Sequence, residues 1–365
     1  MKVDQEAGSA GFLCTVRRES EVLGYLAIDS LVAGRACGGL RLLPDVGEEE
    51  IRGLARAMTL KYGFLGLPQG GAKAGVRGDP EAPLPERRER LLAFARAIAP
   101  LLQRRIYVPG TDMGTDNADI RALLQALGVR VKARELRGTD SGYYTALTVL
   151  EGARQAAAHR GLALAGCRAA VEGFGKVGSA LAALLAAEGV RVVAVSTSRG
   201  ALYDPEGLDV PRLSALASRA GSAVVEEYGA GQRLPGEALL ELPVDILCPC
   251  ARHNSLHAGN APRVAARIVC PGANNPVTPE AEATLFARRV LCLPDFVTNS
   301  GGVLGGTMEF AAVGRGEIVA TIERYLGPRI GELLAEAGRR GVPPRTVAEP
   351  MALRRHARVW AAAAH

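Results

Sequence analysis

The sequence predicts a two-domain α/β protein, and three observations carry that expectation. The chain has 365 residues, more than a single domain of roughly 100–200 residues accounts for. From about residue 145 apolar strand-like runs alternate with helical ones, the pattern of a mostly parallel sheet covered on both faces. Between the first two of those runs stands Gly173-Phe174-Gly175-Lys176-Val177-Gly178, a glycine turn of the kind that joins a strand to a helix. The expected division is 1–140 and 141–340, with a C-terminal helix at about 341–365 returning to the first domain.

Residues 1–30 alternate apolar and polar side chains, as in GFLCTV and VLGYLAID, and read as paired strands. Residues 48–62 place Ile51, Leu54, Ala55, Met58 and Tyr62 at helical spacing behind acids in the first turn, where the helix dipole favours them. A second helix is expected over 85–102, then a short strand in RIYVPG, the loop TDMGTD and a helix at about 117–128. In the second domain a helix over 145–160 leads to the strand CRAAVE, the glycine turn, the helical SALAALLAAEG and the strand VRVVAVS. Further strands are expected at VDILCP, RIVCPG and VLCLPD, and a helical stretch over 316–340 ends at Gly341 and Pro343.

Composition narrows the function classes. Apolar residues make up 48% of the chain, enough for two packed cores and unlike a disordered chain. No apolar run approaches the roughly 20 residues of a membrane helix, and the acidic start MKVDQEAGSAGFLCTV is unlike a secretion signal. A cytoplasmic protein without a membrane partner is expected. The net charge of +6 is spread over the whole chain, with no basic run interleaved with aromatics, so no nucleic-acid partner is expected. Seven cysteines stand singly apart from Cys248-Pro-Cys250. They match no zinc spacing, and their odd number argues against a disulfide framework, so no metal is expected.

One compositional fact is sharper. Of 44 lysines and arginines only five are lysine (Lys2, Lys61, Lys73, Lys132 and Lys176), which leaves 39 arginines. Arginine does not lose its proton in a protein, whereas a desolvated lysine does and then serves as a base. Lys61 and Lys73 flank one glycine-rich segment, MTLKYGFLGLPQGGAKAG. A lysine hemmed in by small residues, as Lys73 is in GGAKAG, can approach a substrate away from water. Asp112, on the loop after the strand RIYVPG, offers a carboxylate for the proton transfers that accompany hydride transfer. A turn-capping role competes for Asp112 because glycines flank it.

The glycine turn has the context its mechanism needs, an apolar strand before it and an alanine- and leucine-rich helix behind it. Gly173, Phe174, Gly175, Lys176, Val177 and Gly178 therefore read as the pyrophosphate turn of a Rossmann-type dinucleotide-binding domain. The next strand lacks the usual terminal acid and ends in Val195-Ser196-Thr197-Ser198-Arg199. Thr197 and the arginine suit a 2′-phosphate, so the expected cofactor is NAD or NADP, with NADP favoured.

The residues also resemble a family over most of the chain, the glutamate/leucine/phenylalanine/valine dehydrogenases. The likeness lies in GGLR, MTLK, LPQGGAK, Asp112 before Met-Gly-Thr, YYTAL, GFGKVG, DILCPCA, GANNPVT and PDFVTNSGGV, in family order. What the resemblance implies is a homo-oligomeric enzyme whose first domain carries oligomerisation and substrate binding, with a cleft that closes over an L-amino acid or its 2-oxo acid and ammonia. It implies that Lys61 holds the substrate α-carboxylate, Lys73 activates water and Asp112 shuttles a proton. It further implies that Asn299 contacts the substrate, while Thr145, Ala251 and Asn274 line the nicotinamide.

Departures from the family pattern bear on the substrate. Glutamate members carry a lysine before GGLR and a serine after the NSGGV segment, where this chain has Cys37 and Gly306. A side-chain carboxylate buried without those partners would cost several kcal/mol. Together with Gly39 and Met58, these positions predict an apolar side-chain pocket. Lys176 replaces a frequent asparagine of the glycine turn, and His253 follows the strand VDILCP. The expected activity is reversible oxidative deamination of an apolar L-amino acid. A biosynthetic enzyme for an unusual 2-oxo acid and a non-catalytic dinucleotide-binding partner protein remain alternatives.

Overall fold

The computed structural model describes residues 2–8, 11–130 and 139–363, with backbone alone for 2–8 and 363. Lys132, the side chain of Lys2 and the last two residues of the expected C-terminal helix lie outside the described residues. The chain divides into two units, Met1–Gly138 with Met351–His365, and Thr139–Pro350.

The first unit is built on a six-stranded sheet ordered β1-β2-β3-β5-β4-β6. The alternating N-terminal segment forms β1 (Lys2–Gly8), β2 (Gly11–Arg18) and β3 (Glu21–Ile28), paired antiparallel. β4 (Ala36–Leu43) lies between β5 (Gly70–Arg77) and β6 (Tyr107–Thr111) and runs parallel to both. Helix α1 (Glu48–Leu65) covers one face, burying Ile51, Leu54 and Ala55 against Leu13, Tyr25, Ala27 and Val46. The opposite face packs Leu91, Phe94 and Ala95 of α2 (Leu84–Ala97) onto Leu26, Ala72, Ala74 and Val76. The helix expected over 85–102 is in fact two, because α3 (Ala99–Gln103) starts afresh after Ile98. Pro100 supplies no N–H and its ring excludes the carbonyl four residues back. Helix α4 (Asn117–Ala126) opens on the Asp116 side chain, which accepts from the Asp119 amide at 2.9 Å.

Two glycines bring α1 down on β5. A Cβ at Gly71 would strike the backbone of Thr59, and one at Gly75 would lie 2.7 Å from Ile51 Cδ1. Period-2 alternation then puts Lys73 on the same face of β5, between two residues that have no side chain.

The second unit opens with α5 (Ser141–His159) and a seven-stranded sheet ordered β10-β9-β8-β7-β11-β12-β13. Its strands β7 (Arg168–Glu172), β8 (Arg191–Thr197), β11 (Ile246–Pro249), β12 (Ile268–Val269) and β13 (Leu291–Cys292) are parallel neighbours, as the strand–helix alternation predicts. Helix α6 (Lys176–Ala187) joins β7 to β8. The antiparallel edge of β9 (Gly200–Tyr203) and β10 (Gln232–Leu234) was not foreseen. Both strands are short, and that of β10 is polar. Short helices α7 (Val210–Ala220) and α8 (Val224–Glu227) precede β10, and α9 (Pro279–Ala287) and α10 (Asp295–Thr298) flank β13.

Helix α11 (Gly301–Phe310) packs on α5 through glycines, since a Cβ at Gly301 would collide with Thr148 and one at Gly305 with the Tyr144 ring. The stretch expected as one helix over 316–340 is α12 (Arg315–Thr321), a π-turn over Ile322–Leu326 and α13 (Gly327–Arg340). Pro328 has no N–H for the carbonyl four residues back, so regular bonding restarts beyond it. The last helix, α14 (Pro344–Ala363), carries Pro350 inside it. Residues through Pro350 belong to the second unit and those from Met351 to the first. Among the described residues no helix is long and apolar enough to cross a membrane, and no group of three metal-ligating side chains occurs.

Candidate active site

Lys73 and Asp112 meet in the first unit. Lys73 Nζ stands 2.6 Å from Asp112 Oδ2, and the Lys73 side chain is 5% exposed. Gly39, on the neighbouring strand β4, makes the meeting possible, because a Cβ there would lie 2.8 Å from Asp112 Cβ and 3.1 Å from Lys73 Nζ. Arg41 completes the cluster. Its Nε donates to Asp112 Oδ2 at 3.1 Å and its Nη1 is paired with Glu50. The loop that carries Asp112 is fixed by Thr115, whose hydroxyl donates to Leu40 O at 2.7 Å and accepts from the Asp112 amide at 3.1 Å.

Burial, the largest effect, lowers the pKa of Lys73 from the ordinary lysine value, and Arg41 adds to it while Asp112 opposes it. Burial alone would raise that of Asp112, but Lys73 and Arg41 outweigh it and hold the carboxyl well below the usual range. The cluster is therefore a carboxylate gripped by two cations, only one of which can give up a proton.

On the same face of β4, two residues before Gly39, Cys37 is half-buried with its thiol hydrogen-bonded to Tyr62. Burial pushes the thiol up to about 11, against a smaller opposing effect of Arg35, so Cys37 is neutral at physiological pH. Lys61 is buried on α1 and Met58, one turn before it, is half-buried.

In the second unit the glycine turn has the geometry a dinucleotide needs. Gly173 adopts φ +87, a conformation that favours glycine, and its amide donates to Ser196 Oγ at 3.0 Å. The Phe174 amide donates to Ser196 O at 2.6 Å. No atom lies within 4 Å of where a Gly175 Cβ would be, so the space before α6 is open to a ligand. The N-terminus of α6 has no side-chain cap, which leaves amides free for an anion. Gly178 serves packing instead, because a Cβ there would collide with the Gly173 carbonyl. Lys176 is exposed and Val177 half-buried at the turn, and Ala251 lies against Gly173. His253 is half-buried in the loop after β11. At the end of β8 the Thr197 hydroxyl donates to Ser222 O at 2.7 Å, and Arg199 and Arg233 both pair with Glu226.

Asn274 and Asn299 are also brought together. Asn299 Nδ2 donates to Ala273 O at 2.8 Å and to Asn274 Oδ1 at 3.1 Å, while its Oδ1 is buried without a partner. A buried acceptor left unpaired is costly, so this atom suits a donor from a ligand. Thr145 is placed differently from the rest. Its hydroxyl donates to Ser141 O at 2.8 Å within α5, under Gly302 of α11. Gly306 leaves room, its nearest neighbour being Thr139 at 3.7 Å from a built Cβ.

Sequence reasoning missed Arg41, Thr115 and Glu172. Arg41 was one of 39 arginines, although counting by twos from Cys37 and Gly39 along a strand would have put it on their face. Glu172 ends β7, with its Oε2 buried and unpartnered. Burial pushes its carboxyl up to about 7, against weaker hydrogen bonds from Ser255 and Ala251. The raised value means that its contribution to stability is present in full below the ordinary carboxyl range and is lost as pH rises through about 7. Glu172→Gln is therefore expected to melt at the same temperature as wild type near about pH 4 and above it at about pH 9. Parallel melting curves across that range would show that the carboxyl carries no burden.

The profile of the Glutamate/Leucine/Phenylalanine/Valine dehydrogenase family matches residues 139–362, and that of its dimerisation domain matches residues 12–128. The chain belongs to this family. As a Glu/Leu/Phe/Val dehydrogenase it is an NAD(P)-dependent oxidoreductase acting on the CH–NH2 group of an amino acid. It is 39% identical to the glutamate dehydrogenase of Thermotoga maritima over 295 residues, which cover 77% of this chain and 70% of that protein. The NAD-specific glutamate dehydrogenase of Staphylococcus aureus is 34% identical over 308 residues, 80% of this chain and 73% of that one. Among solved structures, the Leu-bound hetero-hexameric glutamate dehydrogenase of Thermus thermophilus superposes with a TM-score of 0.78 at 31% identity, covering 94% of this chain and 86% of its own. The L-tryptophan dehydrogenase of Nostoc punctiforme shares the fold, with a TM-score of 0.66 at 24% identity over 95% of this chain and 96% of that one.

Proposed function

We propose that this dehydrogenase interconverts an apolar L-amino acid with its 2-oxo acid and ammonia. The observation that carries the reading is Cys37, a neutral thiol tied to the Tyr62 phenol on the face that bears Lys73. Such a pair offers a side-chain carboxylate no charge, and Gly306 adds none. A buried carboxylate would be left several kcal/mol short of its solvation.

NAD(P) supplies the hydride acceptor when bound. Gly173, Gly175, Gly178 and the amides that begin α6 are proposed to hold its pyrophosphate, with Phe174, Lys176 and Val177 beside it. Ala251 and Asn274 are proposed to line the nicotinamide. The Thr145 hydroxyl is held within α5, so Thr145 is proposed to act there by shape alone. Thr197 and Arg199 support NADP, while Glu226 provides a carboxylate suited to a ribose hydroxyl, so use of both cofactors is proposed with NADP favoured.

Lys61 is proposed to bind the α-carboxylate, and Asn299 to accept a hydrogen bond from the substrate through its unpaired Oδ1. Lys73, having lost its proton, takes one from the attacking water. Before that transfer, while Lys73 is still neutral, one of the two cations that depress Asp112 is missing. The carboxylate then accepts a proton from the amino group more readily, so the two residues titrate as a pair. A homo-oligomer assembled through the first unit is proposed, supported by the match to the dimerisation-domain profile.

A glutamate substrate is the second reading. The glutamate dehydrogenases named above favour it, as does Arg35, whose charge reaches Cys37. The test follows NADH and NADPH oxidation with ammonia and pyruvate, branched-chain 2-oxo acids, phenylpyruvate and 2-oxoglutarate. A branched or aromatic oxo acid is expected to exceed 2-oxoglutarate in kcat/KM by at least about tenfold. Preference for 2-oxoglutarate, abolished in Arg35→Ala, would establish the second reading instead. Inactivity with every oxo acid, with cofactor still bound, would point to a specialised substrate.

A further inference from the structure

Arg345 lies at the start of α14, far along the chain from the asparagines of the candidate site, yet it is the hub of a partly buried charge network in the second unit. Its Nη2 donates to Asp295 Oδ1 at 2.9 Å, its Nε to Glu282 Oε2 at 2.8 Å and its Nη1 to Glu349 Oε1 at 3.3 Å. The guanidinium also lies over the Phe296 ring, 5.6 Å from its centroid. Asp295 is 1% exposed. Its other oxygen, Oδ2, accepts from the backbone amide of Asn275 at 2.9 Å, and its carbonyl accepts from the Asn299 amide at 2.8 Å.

The carboxylate thus ties Arg345 to the turn at Asn275, and Asn299 is reached through that turn, since its Nδ2 donates to Ala273 O and Asn274 Oδ1. Asn275 needs such a tie because it sits at φ 48, a conformation that costs a non-glycine residue free energy and persists only where its surroundings enforce it. The Asn274 carboxamide, one residue earlier, is held in turn by Asn299. A core aspartate could have been satisfied by amides alone. The guanidinium instead spreads its fork over three carboxylates, and its one bond to Oδ1, with the Asn275 amide on Oδ2, gives each oxygen of Asp295 a partner.

We propose that Arg345 is a positioning residue for the dehydrogenase reaction, acting through Asp295 to fix the Asn274–Asn275 turn and the Asn299 side chain in reactive register. The proposal rests on the reading that Asn299 and Asn274 face substrate and nicotinamide. Arg345 touches neither ligand, so its contribution is to turnover rather than to ground-state affinity. Burial works against the charge of Arg345, but Asp295 and Glu282 outweigh it and raise its pKa above the ordinary arginine value. The guanidinium therefore stays charged.

The test uses the full-length enzyme with its best oxo acid, reading kcat, KM, NAD(P)H affinity by fluorescence and melting temperature. Asp295→Asn keeps the volume and removes the charge. It is expected to lower kcat about a hundredfold, the loss typical of reacting groups displaced by an ångström, with KM and NAD(P)H affinity little changed. Arg345→Lys keeps the charge and loses the fork, and an intermediate loss is expected. In the double variant Arg345→Gln/Asp295→Asn, kcat is expected to fall no further than in the worse single variant.

Should Asp295→Asn fail to fold, Asn275→Gly carries the same comparison, because glycine tolerates the left-handed turn yet loosens it. Wild-type kcat at a lowered melting temperature in either variant would reduce the network to a structural one and overturn the proposal. Asn299→Ala separates the two layers of the argument. If it turns over like wild type, the reading of Asn299 is at fault and the clamp has nothing to position. If it is inactive while Asp295→Asn is not, only the clamp is at fault.

Discussion

Lys73→Ala is expected to lower kcat by about 10²–10⁴-fold, the range that general acid–base groups contribute, while the protein folds at least as well as wild type. The two halves of that expectation have separate causes. Lys73 is buried, and burial is the largest effect on it, so its removal takes an expensive ammonium out of the interior. Asp112 is not stranded by the change, because Arg41 Nε still reaches its Oδ2 at 3.1 Å. A loss of activity without a loss of melting temperature is what a group held for chemistry produces.

The pH profile gives the same residue a second readout. The fold penalises the protonated form of Lys73, so the base form appears below the ordinary lysine value. With the wild type, kcat/KM is expected to rise with pH and level off below about pH 10. The sign for stability runs the same way. The penalty on the ammonium is relieved as pH rises through the lowered value, so Lys73 costs the fold least in the alkaline range. Replacing Lys73 should remove the rising limb of activity. Its survival in Lys73→Ala would assign that limb, and the role of base, to another group.

The glycine turn yields the second large effect through a contrast between neighbours. Gly178→Ala forces a methyl group onto the Gly173 carbonyl, backbone against backbone, with no flexible side chain to give way. A cost of about 3 kcal/mol in stability is expected, at the upper end for overpacking. Displacement of the first turn of α6 is expected to weaken NAD(P)H binding by about a hundredfold, close to 3 kcal/mol. Gly175→Ala meets nothing within 4 Å, and its φ of −92 suits alanine. That variant should melt like wild type and lose only cofactor affinity, because its methyl group occupies space left for the pyrophosphate. Calorimetric melting and fluorescence titration of the two variants decide the matter. Equal melting temperatures for both, or undiminished affinity in Gly175→Ala, would mean that the turn does not cradle the dinucleotide.

The sequence made Lys73 of the Lys73–Asp112 pair legible for a compositional reason. In a chain that uses arginine nearly everywhere, a lysine between glycines stands out, and GGAKAG supplies both the charge and the small neighbours that let it be buried. Arg41 was hidden by the same bias, since an arginine among so many carries little information until its strand neighbours are known. Glu172 was invisible for a different reason. Its raised proton affinity comes from burial in the folded chain, which no local pattern encodes. The clamp on Asn275 joins residues 275, 295 and 345, separations over which a single sequence has no periodicity to offer. Strand alternation foretold the parallel sheet but not its antiparallel edge, because four- and three-residue strands are too short to show a period. The breaks at Ile98 and before Gly327 follow from Pro100 and Pro328, signals that were present in the chain and were outweighed by continuous helical spacing on either side.

Helix α14 has a consequence for how the protein is made. Its last turns complete the first unit, where Gly63 packs against the Ala352 backbone, and His356 Nε2 sits 3.2 Å from Gln69 O and 3.4 Å from Ser30 Oγ. A ribosome delivers Ser30, Gly63 and Gln69 early and residues 351–363 only after the whole second unit. At typical elongation rates the nascent first unit waits roughly 10–40 s for its missing piece, with the surface at Gly63 that packs on Ala352 uncovered. Final closure of the first unit is thus tied to synthesis of the second, so a ribosome that stalls between them leaves a unit carrying Lys73 and Asp112 but lacking its cover, a form suited to capture by chaperones.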